Sequence, residues 1–458
     1  MWALSDLRGK KVLVIGLARS GQAAVRFLWE QGAQVTGADQ KKESELGPEF
    51  QKLLEISATF VTGGYPRVRP EDWDLIVVSP GVPQSIPPIR EAERYGIPIW
   101  SELELASRLI REPIIAVTGT NGKTTTTALL GYIFEKAGIP AAVAGNIGIP
   151  LIREVDRVLH GGRKVNYWIV EVSSFQLERI DRFRPHIAVF LNLTPDHIDR
   201  HGDLESYGKI KSRIFANQGA DDWAVVNLDD SWLASNMPAV ASRVCGFSRQ
   251  RLPEEGIGVQ DGVICYHLKG KREKLCAVAT VRMPGPHNLE NSLAAAAAAL
   301  LAGVDKEIIA GALATFPGVP HRLEEVRVLR GVKYINDSKG TNPESVSRAL
   351  DSFTNPVILI AGGRHKGSDF RELARKVKEK AKALVLIGEA AGIIRQAVSS
   401  TGFQNIYDAA SLAEGVQIAS RLAEPGDVVL LSPACASWDM FRDYEERGEC
   451  FKKLVNQL

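Results

Sequence analysis

The chain has 458 residues, 45% hydrophobic and 24% charged, the composition of a globular protein with roughly two to four domains. Its 56 Lys+Arg against 54 Asp+Glu leave a formal charge of +2, so no broad field draws it onto nucleic acid or anionic lipid. The 5 cysteines are scattered without a C-x-x-C pair, which argues against a disulfide framework or a zinc site. No apolar run approaches the ~18–20 residues of a membrane helix. The opening Met-Trp-Ala-Leu-Ser-Asp lacks the apolar stretch of a secretory signal, so a cytoplasmic chain is expected.

Lys11–Ile15 reads as a short strand, followed by the turn Gly16 to Gly21 and a helix reaching Trp29. Gln34–Asp39 and Asp74–Ser79 read as further strands, and this alternation predicts βαβ units on a parallel sheet. The pattern restarts after Pro113 with the strand Ile114–Thr118, a glycine turn and a helix to Ala137. Strands are expected next at Tyr167–Val172, His186–Asn192 and Ala224–Asn227. The alanine run Ala294–Ala299 predicts a helix across Pro286 to Leu301. Phe316-Pro-Gly-Val-Pro320 marks a linker, and later strands are expected at Val332–Asp337, Val357–Ala361, Ala383–Gly388 and Asp427–Ser432. The basic run Arg371 to Lys382 carries Phe370, Leu373, Val377, Ala381 and Leu384 at helical spacing, so its charges read as a solvated helix face. The expected architecture is α/β in three domains: 1–100, 101–318 and 319–458.

Gly119-Thr-Asn-Gly-Lys-Thr-Thr125 lies between a predicted strand and a predicted helix. Glycines there let backbone N–H groups (of Gly119, Thr120, Asn121 and Gly122 among them) turn toward phosphate oxygens, and the helix N-terminus adds its positive end. Lys123 is placed to reach the β/γ-phosphates and the Thr124 hydroxyl to ligate Mg²⁺. The loop is a short variant, because Val117 stands where the usual spacing has its first glycine. In the earlier turn, Ala18 replaces the middle glycine of a dinucleotide fingerprint while Asp39 ends the next strand. A nucleotide-diphosphate site and a purely structural turn both fit that pattern. Glu171 ends its strand beside the phosphate loop, where a carboxylate can hold Mg²⁺. Asp196, His197 and Asp199 follow the next strand and can converge on the γ-phosphate from the same sheet edge.

These motifs resemble the Mur ligase family of ATP-dependent amide-bond-forming enzymes. The resemblance is carried by Gly119 to Thr125, Glu171-Val-Ser-Ser, Asn192-Leu-Thr-Pro-Asp-His197, His287-Asn-Leu-Glu-Asn291, Pro320-His-Arg322 and Asn336-Asp-Ser-Lys339. Asp337-Ser-Lys-Gly-Thr-Asn-Pro343, Gly362 to Phe370 and Leu431 to Phe441 are similar to the D-glutamate-adding members. No D-N-P-R motif of the diaminopimelate- or lysine-adding members is present, and Asn121 stands where alanine-adding members show His. Arg364-His365 and Trp438 depart from the residues of other members.

The resemblance implies an N-terminal Rossmann-like domain for a UDP sugar, a central P-loop ATPase domain and a C-terminal Rossmann-like domain for the amino acid. It implies that Lys123, Glu171, His197 and Lys211 carry the chemistry. ATP would meet Gly119 to Thr125, Asn288, Asn291, Arg322, Asp337 and Lys339. The UDP-N-acetylmuramoyl-L-alanine substrate would meet Ser20, Asp39, Gln40, Lys41, Gly81, Asn146, Ser173, Gln176 and His197. D-Glutamate would meet Thr341, Lys366, Ser437, Trp438 and Tyr444. Two Mg²⁺ ions would be held by Thr124, Glu171, His197 and a CO₂-derived carbamate on Lys211, in a monomer without nucleic-acid or membrane partners. A plain surface lysine is the alternative for Lys211, with Lys209 nearby, and helix capping is the alternative for Thr341 and Ser437. A P-loop switch would not need the acceptor residues, and a nicotinamide oxidoreductase would leave the ATP loop unexplained. A folylpolyglutamate-type ligase is the nearest rival of the same class.

Overall fold

The structure, a computed structural model, describes residues 4–146, 148–365 and 367–458, apart from the side chains of Leu4, Ser5 and Asp199. Lys366 and the Asp199 carboxylate, both singled out above, lie outside the described residues. The chain forms two compact units, Met1–Thr280 with Glu290–Ala312, and Val281–Leu289 with Leu313–Leu458.

The first unit holds two sheets. Five parallel strands run in the order Thr59–Thr62, Gln34–Asp39, Lys11–Ile15, Leu75–Val78, Ile99–Ser101. Their order, 3-2-1-4-5, is doubly wound and opens a crevice at the C-terminal ends beside the first strand. Alternate residues of Val12–Ile15 enter two different apolar clusters, one on each face. Burial on both faces is why this strand is written as an unbroken apolar run.

The second sheet has nine strands in the order Lys271–Ala277, Val263–Leu268, Gly256–Gln260, Arg243–Ser248, Trp223–Asn227, Ile187–Phe190, Ile114–Thr118, Tyr167–Glu171, Ala141–Gly145. The strands from Gly256–Gln260 to Ala141–Gly145 are parallel, and the two remaining ones extend the sheet as antiparallel hairpins. Edge strand Lys271–Ala277 is largely exposed and carries Lys271, Arg272 and Lys274, charges that discourage further strand pairing.

The second unit is built on six strands in the order Glu324–Leu329, Val332–Asn336, Val428–Leu431, Val357–Gly362, Ala381–Ile387, Ile406–Asp408, antiparallel only in the first pair. One expectation is corrected here. The basic helix is Arg371–Lys380, and at Ala381 the chain turns extended (φ −89°, ψ 135°), so Ala381 and Leu384 belong to the following strand. Their helical spacing was a coincidence of phase, because Leu384 is buried by the sheet. Among the described residues no helix is long and apolar enough to cross a membrane.

Candidate active site

Ile114–Thr118 lies between Ile187–Phe190 and Tyr167–Glu171, so the loops after all three strands leave one sheet edge. The first of these is the phosphate loop, with Gly119 at φ 149° and Gly122 at φ 85° before the helix Lys123–Lys136. A Cβ at Gly122 would stand 2.1 Å from Asn291 Oδ1, so only glycine fits under that amide. Asn291 Oδ1 also accepts from Thr126 Oγ1 at 3.4 Å. Asn192 anchors the loop from the neighbouring strand: Thr120 N donates to its carbonyl (3.0 Å) and Asn121 N to its Oδ1 (2.9 Å). Asn192 was not among the expected site residues, although an amide at the strand's C-terminal end was the available signal. The Lys123 ammonium folds over the loop and donates to the carbonyls of Gly119 (2.9 Å) and Thr120 (2.8 Å).

Glu171 is buried at the end of its strand, its Oε1 accepting from Asn146 Nδ2 at 3.0 Å. Lys211, on the helix Leu204–Ser212, is 1% exposed and donates from Nζ to the Gly119 carbonyl at 2.7 Å. Burial pushes its pKa well below the usual lysine value, Lys123 adds to the shift, and Asp196 and Glu171 oppose it. Its Nζ lies 4.8 Å from the Tyr207 ring centre. Lys209, by contrast, is solvent-exposed beside Glu205. The surface-lysine alternative therefore describes Lys209 and not Lys211. His197 heads the helix Ile198–His201 in the left-handed region (φ 52°), half-exposed, with Nε2 3.6 Å from Asp196 Oδ2.

Among the described residues no group of three or more His, Cys, Asp or Glu side chains could hold a metal. Magnesium needs fewer protein carboxylates than that, since substrate phosphates and water complete its octahedron. The Glu171 carboxylate, at the end of its strand, and the Thr124 hydroxyl, in the first turn of the helix Lys123–Lys136, supply hard oxygen donors of that kind at one sheet edge.

In the five-stranded sheet, Ser20, Asp39, Gln40, Lys41 and Gly81 lie at the C-terminal ends of three neighbouring strands. Asp39 accepts from Leu17 N (2.6 Å) and Lys41 N (2.9 Å), fixing the Gly16 turn. A Cβ at Gly21 would lie 1.7 Å from the Gly16 carbonyl oxygen, so that glycine is required by packing alone. Asn146, Ser173, Gln176 and His197 belong instead to the nine-stranded sheet's edge. Ser173 and Gln176 close a capping box on the helix Ser174–Leu177, and Gln176 is buried.

In the second unit, Lys339 and Thr341, Ser437 and Trp438, and Arg364 and His365 follow three adjacent strands. Asp337 is buried, its Oδ2 accepting from Ser432 Oγ at 2.6 Å, and burial pushes its pKa up to about 6. Lys339 Nζ lies 5.6 Å from the Tyr444 ring centre. Ser437 is buried and Trp438 is 60% exposed beside it. Neither Thr341 nor Ser437 caps a helix: Asn342 caps Pro343–Asp351 and Asp443 caps Tyr444–Asn456. Arg447, which sequence reasoning missed, is buried and donates to Ser338 Oγ (3.0 Å) and to the carbonyls of Ser338 (2.8 Å) and Cys435 (3.3 Å), holding two of these loops together. Asn288 Nδ2 donates to Pro284 O at 2.7 Å.

Family models match in three places: Mur ligase MurD-like N-terminal domain over residues 10–101, Mur ligase middle domain over 117–299, and Mur ligase glutamate ligase domain over 321–435. The chain is 53% identical to UDP-N-acetylmuramoylalanine–D-glutamate ligase of Pelotomaculum thermopropionicum, over 99% of both chains. It is 46% identical to the enzyme of the same name from Geotalea uraniireducens, over 99% of this chain and 98% of that one. The fold is similar to that of the UDP-N-acetylmuramate-alanine ligase MurC of Thermotoga maritima (TM-score 0.59, 22% identity, 98% and 99% coverage). It is also similar to the MurF ligase of Thermotoga maritima in complex with ADP (TM-score 0.60, 16% identity, 100% of each chain covered). With matched models across all three sheets and full-length relatives at this identity, the chain belongs to the Mur ligase family, on the branch of the UDP-N-acetylmuramoylalanine–D-glutamate ligases.

Proposed function

We infer that the protein joins D-glutamate to UDP-N-acetylmuramoyl-L-alanine at the expense of ATP, a cytoplasmic step of peptidoglycan precursor synthesis. The supporting observation is the convergence of Lys123 and Lys211 on one carbonyl of a phosphate loop whose sheet edge also carries Glu171 and His197. A free carboxylate has a poor leaving group. Transfer of the γ-phosphoryl group to the alanine carboxylate forms an acyl phosphate and releases ADP. The D-glutamate amine then attacks the acyl carbon, the C–N bond forms, and phosphate leaves with one former carboxylate oxygen.

In this reading Lys123 follows the charge developing on the transferred phosphoryl group, and the loop N–H groups orient the polyphosphate. Glu171 and Thr124 would hold Mg²⁺, which would supply charge neutralisation to the phosphates; His197 and a carbamate on Lys211 would hold a second ion. A buried lysine held below its usual pKa presents the neutral amine that adds to CO₂, giving a carbamate and releasing one proton. Residues 1–100 carry the UDP-sugar site, 101–318 the ATP site and 319–458 the acceptor site, where Ser437, Thr341 and Lys366 take the two carboxylates.

The test is phosphate release from ATP with UDP-N-acetylmuramoyl-L-alanine and a panel of acceptors. D-Glutamate should be used well ahead of L-glutamate, meso-diaminopimelate and L-lysine. Preference for lysine or diaminopimelate would remove the acceptor assignment, and turnover without any acceptor would remove the ligase.

A further inference from the structure

We propose that Arg200 is a positioning residue that registers the His197 turn against the Gly81–Gln84 loop of the five-stranded sheet, and so couples UDP-sugar binding to phosphoryl transfer. The proposal rests on the ligase reading above.

Glu178 is the hub of this arrangement. Its carboxylate, 9% exposed, accepts from Arg200 Nε (3.1 Å) and Nη2 (2.6 Å), and from Gln84 Nε2 (2.8 Å). Arg200 Nη2 also donates to the Val82 carbonyl at 2.8 Å, one residue after Gly81. Arg200 therefore bonds a carboxylate in a forked geometry that lysine cannot copy, and reaches the first sheet's loop with the same nitrogen. Its backbone N donates to the His197 carbonyl at 3.0 Å, so the guanidinium and the His197 turn move as one piece.

Aromatic rings extend the same assembly to Lys211. The Arg200 guanidinium lies 5.5 Å from the Phe175 ring centre, and the Phe175 ring meets His197 edge-on at 4.9 Å. Phe175 stacks on His201 (5.6 Å), which stacks on Tyr207 (5.1 Å), the ring beneath Lys211 Nζ. His201 is pinned in the stack by Ser174 Oγ at 3.0 Å from its Nε2. No member of the Arg200–Glu178–Gln84 set was needed to explain the phosphate loop. Their placement is explained if the turn carrying His197 must follow the loop that meets the UDP sugar.

The experiment compares wild type with Arg200→Lys, Arg200→Ala, Gln84→Ala and the Arg200→Ala/Gln84→Ala double variant. It measures kcat, KM for each of the three substrates, calorimetric Kd for UDP-N-acetylmuramoyl-L-alanine, and Tm. Arg200→Ala should lower kcat and raise the UDP-sugar KM by about tenfold each, leaving the ATP and D-glutamate KM within about twofold. Arg200→Lys should recover part of kcat, and Gln84→Ala should weaken UDP-sugar binding with kcat retained. Because both side chains act through Glu178, the double variant should lose less UDP-sugar affinity than the product of the single losses. Should Arg200→Ala fail to fold, Arg200→Lys and Gln84→Ala carry the same comparison. Wild-type kinetics in the variants, or equal losses toward all three substrates tracking Tm, would overturn the coupling. A wild type that turns over none of these substrates would instead refute the ligase reading, a separate outcome decided before any variant is scored.

Discussion

Lys123 and Lys211, 88 positions apart by their numbers, donate to the same acceptor, the Gly119 carbonyl, at 2.9 and 2.7 Å. Burial first, and then the nearby Lys123 charge, hold the Lys211 pKa well below the usual lysine value. In the ligase reading proposed above, Lys123 serves as the cation for phosphate and Lys211 as the amine that takes up CO₂.

Lys211→Ala should abolish most of the turnover, with partial recovery in added formate or acetate that supplies the missing oxygen ligand. In wild type, ¹³C-labelled bicarbonate should give a carbamate resonance that is absent in Lys211→Ala and retained in Lys209→Ala. Full activity of Lys211→Ala at low bicarbonate would show that no carbamate is used.

Lys123→Ala should lose on the order of 10³-fold in kcat/KM while keeping its fold, because a cation aimed at the transferred phosphoryl group acts mainly in the transition state. Gly122→Ala probes the same loop through its shape. Its Cβ would collide with Asn291 Oδ1 at a left-handed φ of 85°. The ATP KM should rise at least about tenfold with UDP-sugar Kd unchanged, both read by titration calorimetry and steady-state kinetics.

Ser437→Ala should raise KM for D-glutamate alone, with Tm close to wild type, since Ser437 caps no helix. A drop in Tm with an unchanged acceptor KM would give the hydroxyl a structural role instead. Lys366→Ala is the matching variant for the second acceptor carboxylate.

Glu102 provides a pH signature in stability. It is fully buried, and Oε1 accepts from Ile152 N at 2.6 Å; the Gln176 side chain and the Leu151 backbone offset its burial only in part. Burial pushes its pKa from the usual 4.5 up to about 7. The folded chain therefore binds this proton more tightly than the unfolded chain, so stability falls as pH rises from about 4.5 to 7 and the whole penalty stands above that window. At roughly 1.4 kcal/mol per unit the penalty is of order 3 kcal/mol. Glu102→Gln should have a higher Tm than wild type at pH 8, and the gap should close toward pH 4.5. An offset independent of pH would contradict this.

The strands buried on both faces, such as Val12–Ile15 and Val357–Ala361, are legible because every residue is apolar and a glycine ends each run. The hairpin strand Lys271–Ala277 is not, because an exposed edge is written in charges. The phosphate loop is legible because backbone wrapped around an anion needs glycine at fixed places. Lys211 is legible only through the family resemblance: it and Lys209 share one short helix, and which of them faces inward depends on the sheet beneath. The Glu178 hub is invisible in the sequence, since Gln84 and Arg200 stand 94 and 22 positions away from it. The same distance hides Arg447, whose acceptors lie 109 and 12 positions off.

The central claim is that the alanine carboxylate is phosphorylated before the amide forms. Oxygen-18 placed in that carboxylate of UDP-N-acetylmuramoyl-L-alanine tests it directly, by mass spectrometry of the phosphate released during D-glutamate-dependent turnover. One labelled oxygen per released phosphate is the predicted result. Unlabelled phosphate, with amide product formed at the same rate, would contradict the acyl-phosphate route.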